Sequence, residues 1–177
     1  SYVNETQRTF VPHLKAPQPY HSEDFVWLDA QTQRNLELVS TMYDGAVEGS
    51  LLSVLDRTQT RMGKRRLRHW LLHPLVSVEN IQQRQNAVET LVTQVSLRAE
   101  LRDVLAGILD LERLTSRVTA AIANPRDLSA LRASLAPLPR LRELLTPLTD
   151  TVLHSLCESL DPLDDLCRDL QHTLVDE

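Results

Sequence analysis

TRMGKRRLRHWLLHPLVSVENIQQRQNAVETLV, residues 60–92, carries the pattern that decides the fold. Thr60 is placed to N-cap a helix, since its hydroxyl can accept from a first-turn N–H that has no partner inside the helix. Leu67, Trp70 and Leu71 then fall on one side at helical spacing. The helix should stop at His73, because Pro74 crowds the helical geometry of the residue before it. Ser77 recaps the chain, and Val78, Ile81, Val88, Leu91 and Val92 line one side of a second helix. Two capped helices joined by a few residues predict helix-on-helix packing.

The same grammar continues downstream. Ser96 is read as the start of a helix with Leu97, Leu101, Val104, Leu105 and Ile108 in register, and Asp110 as the cap of another through Leu111, Leu114, Val118 and Ile122. Asn124-Pro125-Arg126-Asp127 is the strongest start signal: a cap, a proline at the first helical position and an acid in the first turn. Leu128, Leu131 and Leu135 follow as its stripe, and Pro137 and Pro139 break it. Two short amphipathic helices, about 151–160 and 162–174, close the chain. Upstream, a loop flanked by Gly45 and Gly49 leads to Ser50 and the short helix SLLSVLD. DFVWLD, residues 24–29, reads as a strand, after which Asp29 caps a helix through AQTQRNLEL. Residues 1–23 are proline-bearing and read as an extended tail and linker.

Composition agrees. The 177 residues suit one domain plus a short attachment, and 33 leucines against 4 glycines and 7 aromatics favour helices over strands. The predicted class is mainly α: a multi-helix array or bundle with one short N-terminal strand. No fixed-period repeat supports a solenoid. Scarce glycine also argues against phosphate-cradling loops and nucleophile elbows. The net charge is −5, but it is polarised: residues 57–78 hold six bases and no acid, and residues 150–177 eight acids and one base. Two cysteines are too few for a disulfide scaffold, no membrane-length apolar run or signal pattern is present, and a cytoplasmic protein is expected. The opening at Ser1 without methionine suggests a piece of a longer chain.

Candidate chemistry is sparse. Arg61, Lys64, Arg65 and Arg68, at i, i+3, i+4 and i+7, form a positive face that could lie along phosphates. The acidic balance favours instead a solvated face, or one paired internally with the acidic C-terminal region. His154, Cys157, Cys167 and His172 are zinc-competent residue types, but the cysteines belong to the leucine stripes Leu153, Leu156, Cys157, Leu160 and Leu163, Leu166, Cys167, Leu170, where a thiol acts as a small hydrophobe. His69 and His73 stand at i, i+4, yet Trp70 occupies the position where a metalloprotease helix needs its glutamate. His21, Ser22, Glu23 and Asp24 are consecutive and cannot aim at one reacting atom. No catalytic, cofactor-binding or metal residue is predicted.

TQTRMGKRRLRHWLLHPLVSVENIQQRQNAVETL resembles the core, or lever, domain of the MutS family, the DNA mismatch-recognition ATPases. The resemblance rests on spaced positions, above all Thr60, Gly63, Arg65, Leu67, Arg68, Trp70, Pro74 and Arg84, which it implies form a structural core motif. FVWLDAQTQRNLEL, DLERLTSRV and NPRDLSALRASLAPLPRLREL extend it, ETQRTFVPHL resembles the tail of the preceding connector domain, and Arg61 stands where members often have proline. The resemblance implies residues 1–23 as connector tail and linker, and residues 24–177 as the first part of the lever domain, ending near an inserted DNA clamp. It implies a mechanical link between clamp and ATPase in bacterial mismatch repair, with ATP and Mg held by other domains. The implied partners are those domains, mismatched DNA and a second copy of the parent, with no membrane. Leucines lacking their packing partners would drive self-association of this chain alone. The rival reading is a free-standing helical adaptor that binds nucleic acid or an acidic partner through Arg61, Lys64, Arg65 and Arg68.

Overall fold

Side-chain caps decide where most helices of this protein begin. The computed structural model describes residues 24–174. Ten helices are found among them: α1 (Ala30–Asn35), α2 (Leu51–Leu55), α3 (Arg61–Leu72), α4 (Val78–Thr93), α5 (Val95–Ala106), α6 (Leu111–Thr119), α7 (Pro125–Leu135), α8 (Leu138–Leu145), α9 (Thr151–Ser159) and α10 (Asp164–Thr173). Asp29, Ser50, Thr60, Ser77, Asp110, Asn124 and Asp150 each accept a first-turn N–H through the side chain. At α7 the cap is reciprocal: Asp127 N–H donates to Asn124 Oδ1 and Asn124 N–H to Asp127 Oδ2, both at 2.9 Å.

Three expectations change. Ser96 does not open α5. Gln94 (φ −93°, ψ 71°) both ends α4 and precedes α5. Arg98 Nη1 donates to the carbonyls of Leu91 at 2.8 Å and Val92 at 2.9 Å, so the end of α4 is satisfied by α5 itself and the two need no connecting loop. Pro137 and Pro139 break α7, as expected, but they also begin α8, where the first turn has no need of their missing N–H groups. DFVWLD contributes one antiparallel bridge, Phe25 to Leu75, and no β-sheet is present among the described residues. Val26 N–H donates to Pro74 O at 2.7 Å and Val76 N–H to Asp24 O at 3.2 Å. The ladder cannot lengthen: the His73 N–H is committed to His69 O inside α3, and Ser77 already caps α4.

Two apolar clusters form the interior. One gathers Ile108, Leu114, Leu131, Leu135 and Leu138, and the other Ala87, Leu148 and Leu153. Helices α5 and α8 run through both, since Leu105 and Leu141 pack on the first and Leu97 and Leu145 on the second. Around this spine α6 and α10 lie on α7, and α9 lies on α4 and α8. Buried Ser134 ties the layers: its Oγ donates to Ala130 O at 2.7 Å and accepts from Leu109 N–H at 3.1 Å.

Candidate functional site

The basic helix α3 contains no fully buried residue; Met62 packs on the first apolar cluster, and the ends and charges of the helix add further ties. Thr60 Oγ1 accepts from Gly63 N–H at 2.9 Å. A Cβ at position 63 would stand 3.0 Å from that hydroxyl, which explains a glycine in the first turn. Just upstream, Asp56 accepts from the Thr58 hydroxyl at 2.6 Å and its N–H at 3.1 Å, and pairs with Lys64 Nζ at 3.1 Å. The Thr58 hydroxyl is the main reason the Asp56 carboxyl lies below its ordinary range, with Lys64 adding to it.

Arg65 reaches across to the start of α6. Its guanidinium grips Asp110 with a two-pronged fork, Nη1 to Oδ2 at 2.8 Å and Nη2 to Oδ1 at 2.7 Å, while Nε donates to Glu112 Oε2 at 3.0 Å. The fork lowers the Asp110 carboxyl to about 2 and raises the guanidinium further above its ordinary value. At the other end of α3 the Arg84 guanidinium lies 4.2 Å from the centre of the Trp70 ring, a cation–π contact on a side chain 42% exposed. Pro74 supplies the carbonyl of the Phe25–Leu75 bridge, and Leu67 is half-buried. Of the positions singled out by sequence, Thr60, Gly63, Arg65, Trp70, Pro74 and Arg84 thus sit at joints between elements.

The positive face is divided. Lys64 and Arg65 have internal acid partners, whereas Arg61 and Arg68 are exposed and make no ion pair or side-chain hydrogen bond among the described residues. The partners are Asp56, Asp110 and Glu112, not the acidic C-terminal region suggested by charge polarity. Asp110 was legible only as a cap; its pairing with Arg65 spans 45 residues and leaves no local signal.

The histidine and cysteine candidates lie in separate surroundings. His69 and His73 stack at 4.3 Å with Phe25 edge-on to both, and the His73 ring nitrogen Nδ1 lies 3.0 Å from His69 O. Burial, then the neighbouring His73, Arg66 and Arg84, pushes the His69 imidazole down, towards the neutral form. Cys157 is buried beside the Arg142 carbonyl, and Cys167 packs on the first apolar cluster. Among the described residues no group of three His, Cys, Asp or Glu side chains could hold a metal ion. The sequence contains no G-x-x-x-x-G-K-[ST] phosphate loop. Apart from Asp24, the consecutive residues 21–24 lie outside the described residues, as does the 1–23 tail.

A model of the family described as MutS domain III matches residues 31–177. The DNA mismatch repair protein MutS of Synechococcus sp. (strain JA-2-3B'a(2-13)) is 48% identical over 165 residues, covering 93% of this chain and 19% of that protein. The protein of the same name from Synechococcus elongatus is 46% identical over 175 residues, 99% of this chain and 20% of its own length. That of Syntrophomonas wolfei is 40% identical over 177 residues, 100% of this chain and 20% of its own. The chain therefore spans about a fifth of the length of these relatives.

Proposed function

We propose that this chain, which belongs to the MutS domain III family, is a stiff helical lever in a mismatch-repair ATPase, relaying nucleotide state to the grip on DNA. The observation that carries the reading is the pair of apolar clusters strung along α5 and α8, with α3 latched to α6 by the Arg65 fork. Packed helices joined in this way move as one body, and such bodies couple distant sites by shifting between discrete arrangements. ATP, Mg and mismatched DNA belong, in this reading, to other domains of the parent, a dimeric protein of the bacterial cytoplasm. No described helix is long and apolar enough to cross a membrane.

Residues 24–177 are assigned to the first part of the lever domain and residues 1–23 to the connector tail. An apolar groove of about 460 Å³ between α4, α5, α8 and α9, lined by Leu91, Leu101, Leu105, Leu141, Leu145 and Leu156, favours the first of these assignments, being a surface suited to further helices of the same domain. Direct nucleic-acid binding through Arg61, Lys64, Arg65 and Arg68 is disfavoured by the internal pairing of two of the four.

Arg65→Ala in the full-length protein that carries this segment tests the lever. ATP hydrolysis without DNA should persist near the wild-type rate, and its response to mismatched duplex should weaken severalfold. An undiminished mismatch response, with the α3–α6 latch gone, overturns the reading.

A further inference from the structure

A second concavity, of about 260 Å³, opens between the first residue of α3, α6 and the first turn of α7. Its polar lining is Arg61, Arg113, Arg117, Asp110 and Asp127. Both carboxylates are already engaged. Asp127 Oδ2 accepts from Arg117 Nε and from Asn124 N–H, each at 2.9 Å. Asp110 receives the Arg65 fork and the Arg113 backbone N–H. Arg61 and Arg113 are left: both are exposed, and neither side chain has an ion pair or hydrogen bond among the described residues. The Asp110 carboxyl is lowered mainly by the Arg65 fork and the Asp127 carboxyl mainly by the Asn124 N–H, with Arg61 and Arg113 respectively adding only a small further depression.

We propose that this cleft binds a phosphate group, clamped by Arg61 and Arg113 beside the already oriented guanidinium of Arg117. A carboxylate offers its two oxygens in one plane and is satisfied by a single guanidinium fork, as Asp110 is by Arg65. Two further guanidinium groups from separate helices, converging on one cleft, suit a tetrahedral group whose oxygens point out of any single plane. The site differs from the basic row of α3, sharing Arg61 alone with it and taking its other arginines from α6. It stands or falls independently of the lever reading.

The test is a titration of inorganic phosphate into the full chain at fixed ionic strength, with chloride as the matched control, following the arginine Nε–H resonances by NMR. Phosphate should displace the Arg61 and Arg113 resonances saturably and chloride should not. Arg61→Ala combined with Arg113→Ala should weaken phosphate binding by about tenfold or more, the scale of lost hydrogen bonds to a charged group. That variant should keep its circular dichroism and Tm, since neither side chain is buried or paired. Arg68→Ala, exposed on α3 outside the cleft, should leave binding unchanged. A short DNA duplex that competes for the same two resonances identifies the source as a phosphodiester backbone. A duplex that leaves them unmoved, while phosphate binds, identifies a free phosphate or phosphomonoester. Equal responses to phosphate and chloride, an equal loss in Arg68→Ala, or preference for an acidic peptide over phosphate each overturn the site.

Discussion

Asp110 shows how one carboxylate can be read correctly and incompletely at once. It caps α6 through the Arg113 N–H at 3.3 Å and receives the Arg65 fork from α3. Magnitudes separate the two roles. Losing a cap costs about 1 kcal/mol, whereas a pair whose arginine is half exposed contributes ~0.2–1 kcal/mol. Asp110→Ala should therefore lower stability by about 1–2 kcal/mol in urea denaturation. Asp110→Asn, which keeps an oxygen for the cap, should cost less than half as much; equal losses would mean that the ion pair dominates. The pH dependence follows from the lowered carboxyl. Its folded value of about 2 lies below the ordinary 3.8, so the pair's contribution is complete above that ordinary value and is withdrawn as pH falls towards 2. Arg65→Ala should flatten the stability profile within this acid window and leave its shape near neutrality unchanged. The cap was legible because it needs only residues 110–113, in sequence order. The pair was not, because a row of bases on α3 cannot say which acids the fold will bring to it.

Among the elements, legibility follows locality again. Caps at Asp29, Thr60, Ser77, Asp110 and Asn124 depend on a few consecutive residues, and all five form. The failures involve partners beyond the segment. Phe25 meets the end of α3 and the turn before α4 and is allowed one bridge; α5 begins at Val95 because Arg98 closes α4; Pro137 and Pro139 start a helix because α5 offers α8 a face to pack on. Helix α3, with nothing fully buried, gives the sharpest element-level test. Thr60→Ala should destabilise by about 1 kcal/mol through loss of the cap. Gly63→Ala should gain about 0.8–1 kcal/mol of helix propensity, but its new methyl would press on the Thr60 hydroxyl at 3.0 Å and disturb that cap. The two effects should nearly cancel in the wild-type background. In Thr60→Ala the hydroxyl is gone and the propensity gain should appear in full. A double-mutant cycle by chemical denaturation measures the difference, and an equal gain in both backgrounds would show that the hydroxyl does not limit position 63.

Across the whole molecule, the leucine surplus divides between two clusters that share α5 and α8 and a groove that remains open beside them. The sequence pattern grouped Leu153, Leu156, Cys157 and Leu160 as a single stripe, but the fold splits them. Leu153 and Cys157 are buried, while Leu156 is 55% exposed on the groove wall. Helical periodicity identifies the side of α9 that is apolar, and only the placement of α4, α5 and α8 settles how much of that side is covered. Open apolar surface costs roughly 25 cal/mol per Å² relative to burial, so a second copy that covered the groove would be held there. We therefore expect the chain alone to self-associate, with a weight-average sedimentation coefficient that rises with concentration. Leu156→Gln should shift that rise to higher concentration while changing unfolding free energy by no more than about 0.5 kcal/mol, since more than half of the side chain is already in water. Arg68→Ala, on the exposed face of α3, should leave the sedimentation series unchanged, which separates apolar covering from charge-driven association. If Leu156→Gln sediments as the wild type does at every concentration, the groove is not the surface through which copies meet. Association would then have to arise elsewhere, for example from exposed Val88, Val92 and Val95 along α4 and the start of α5.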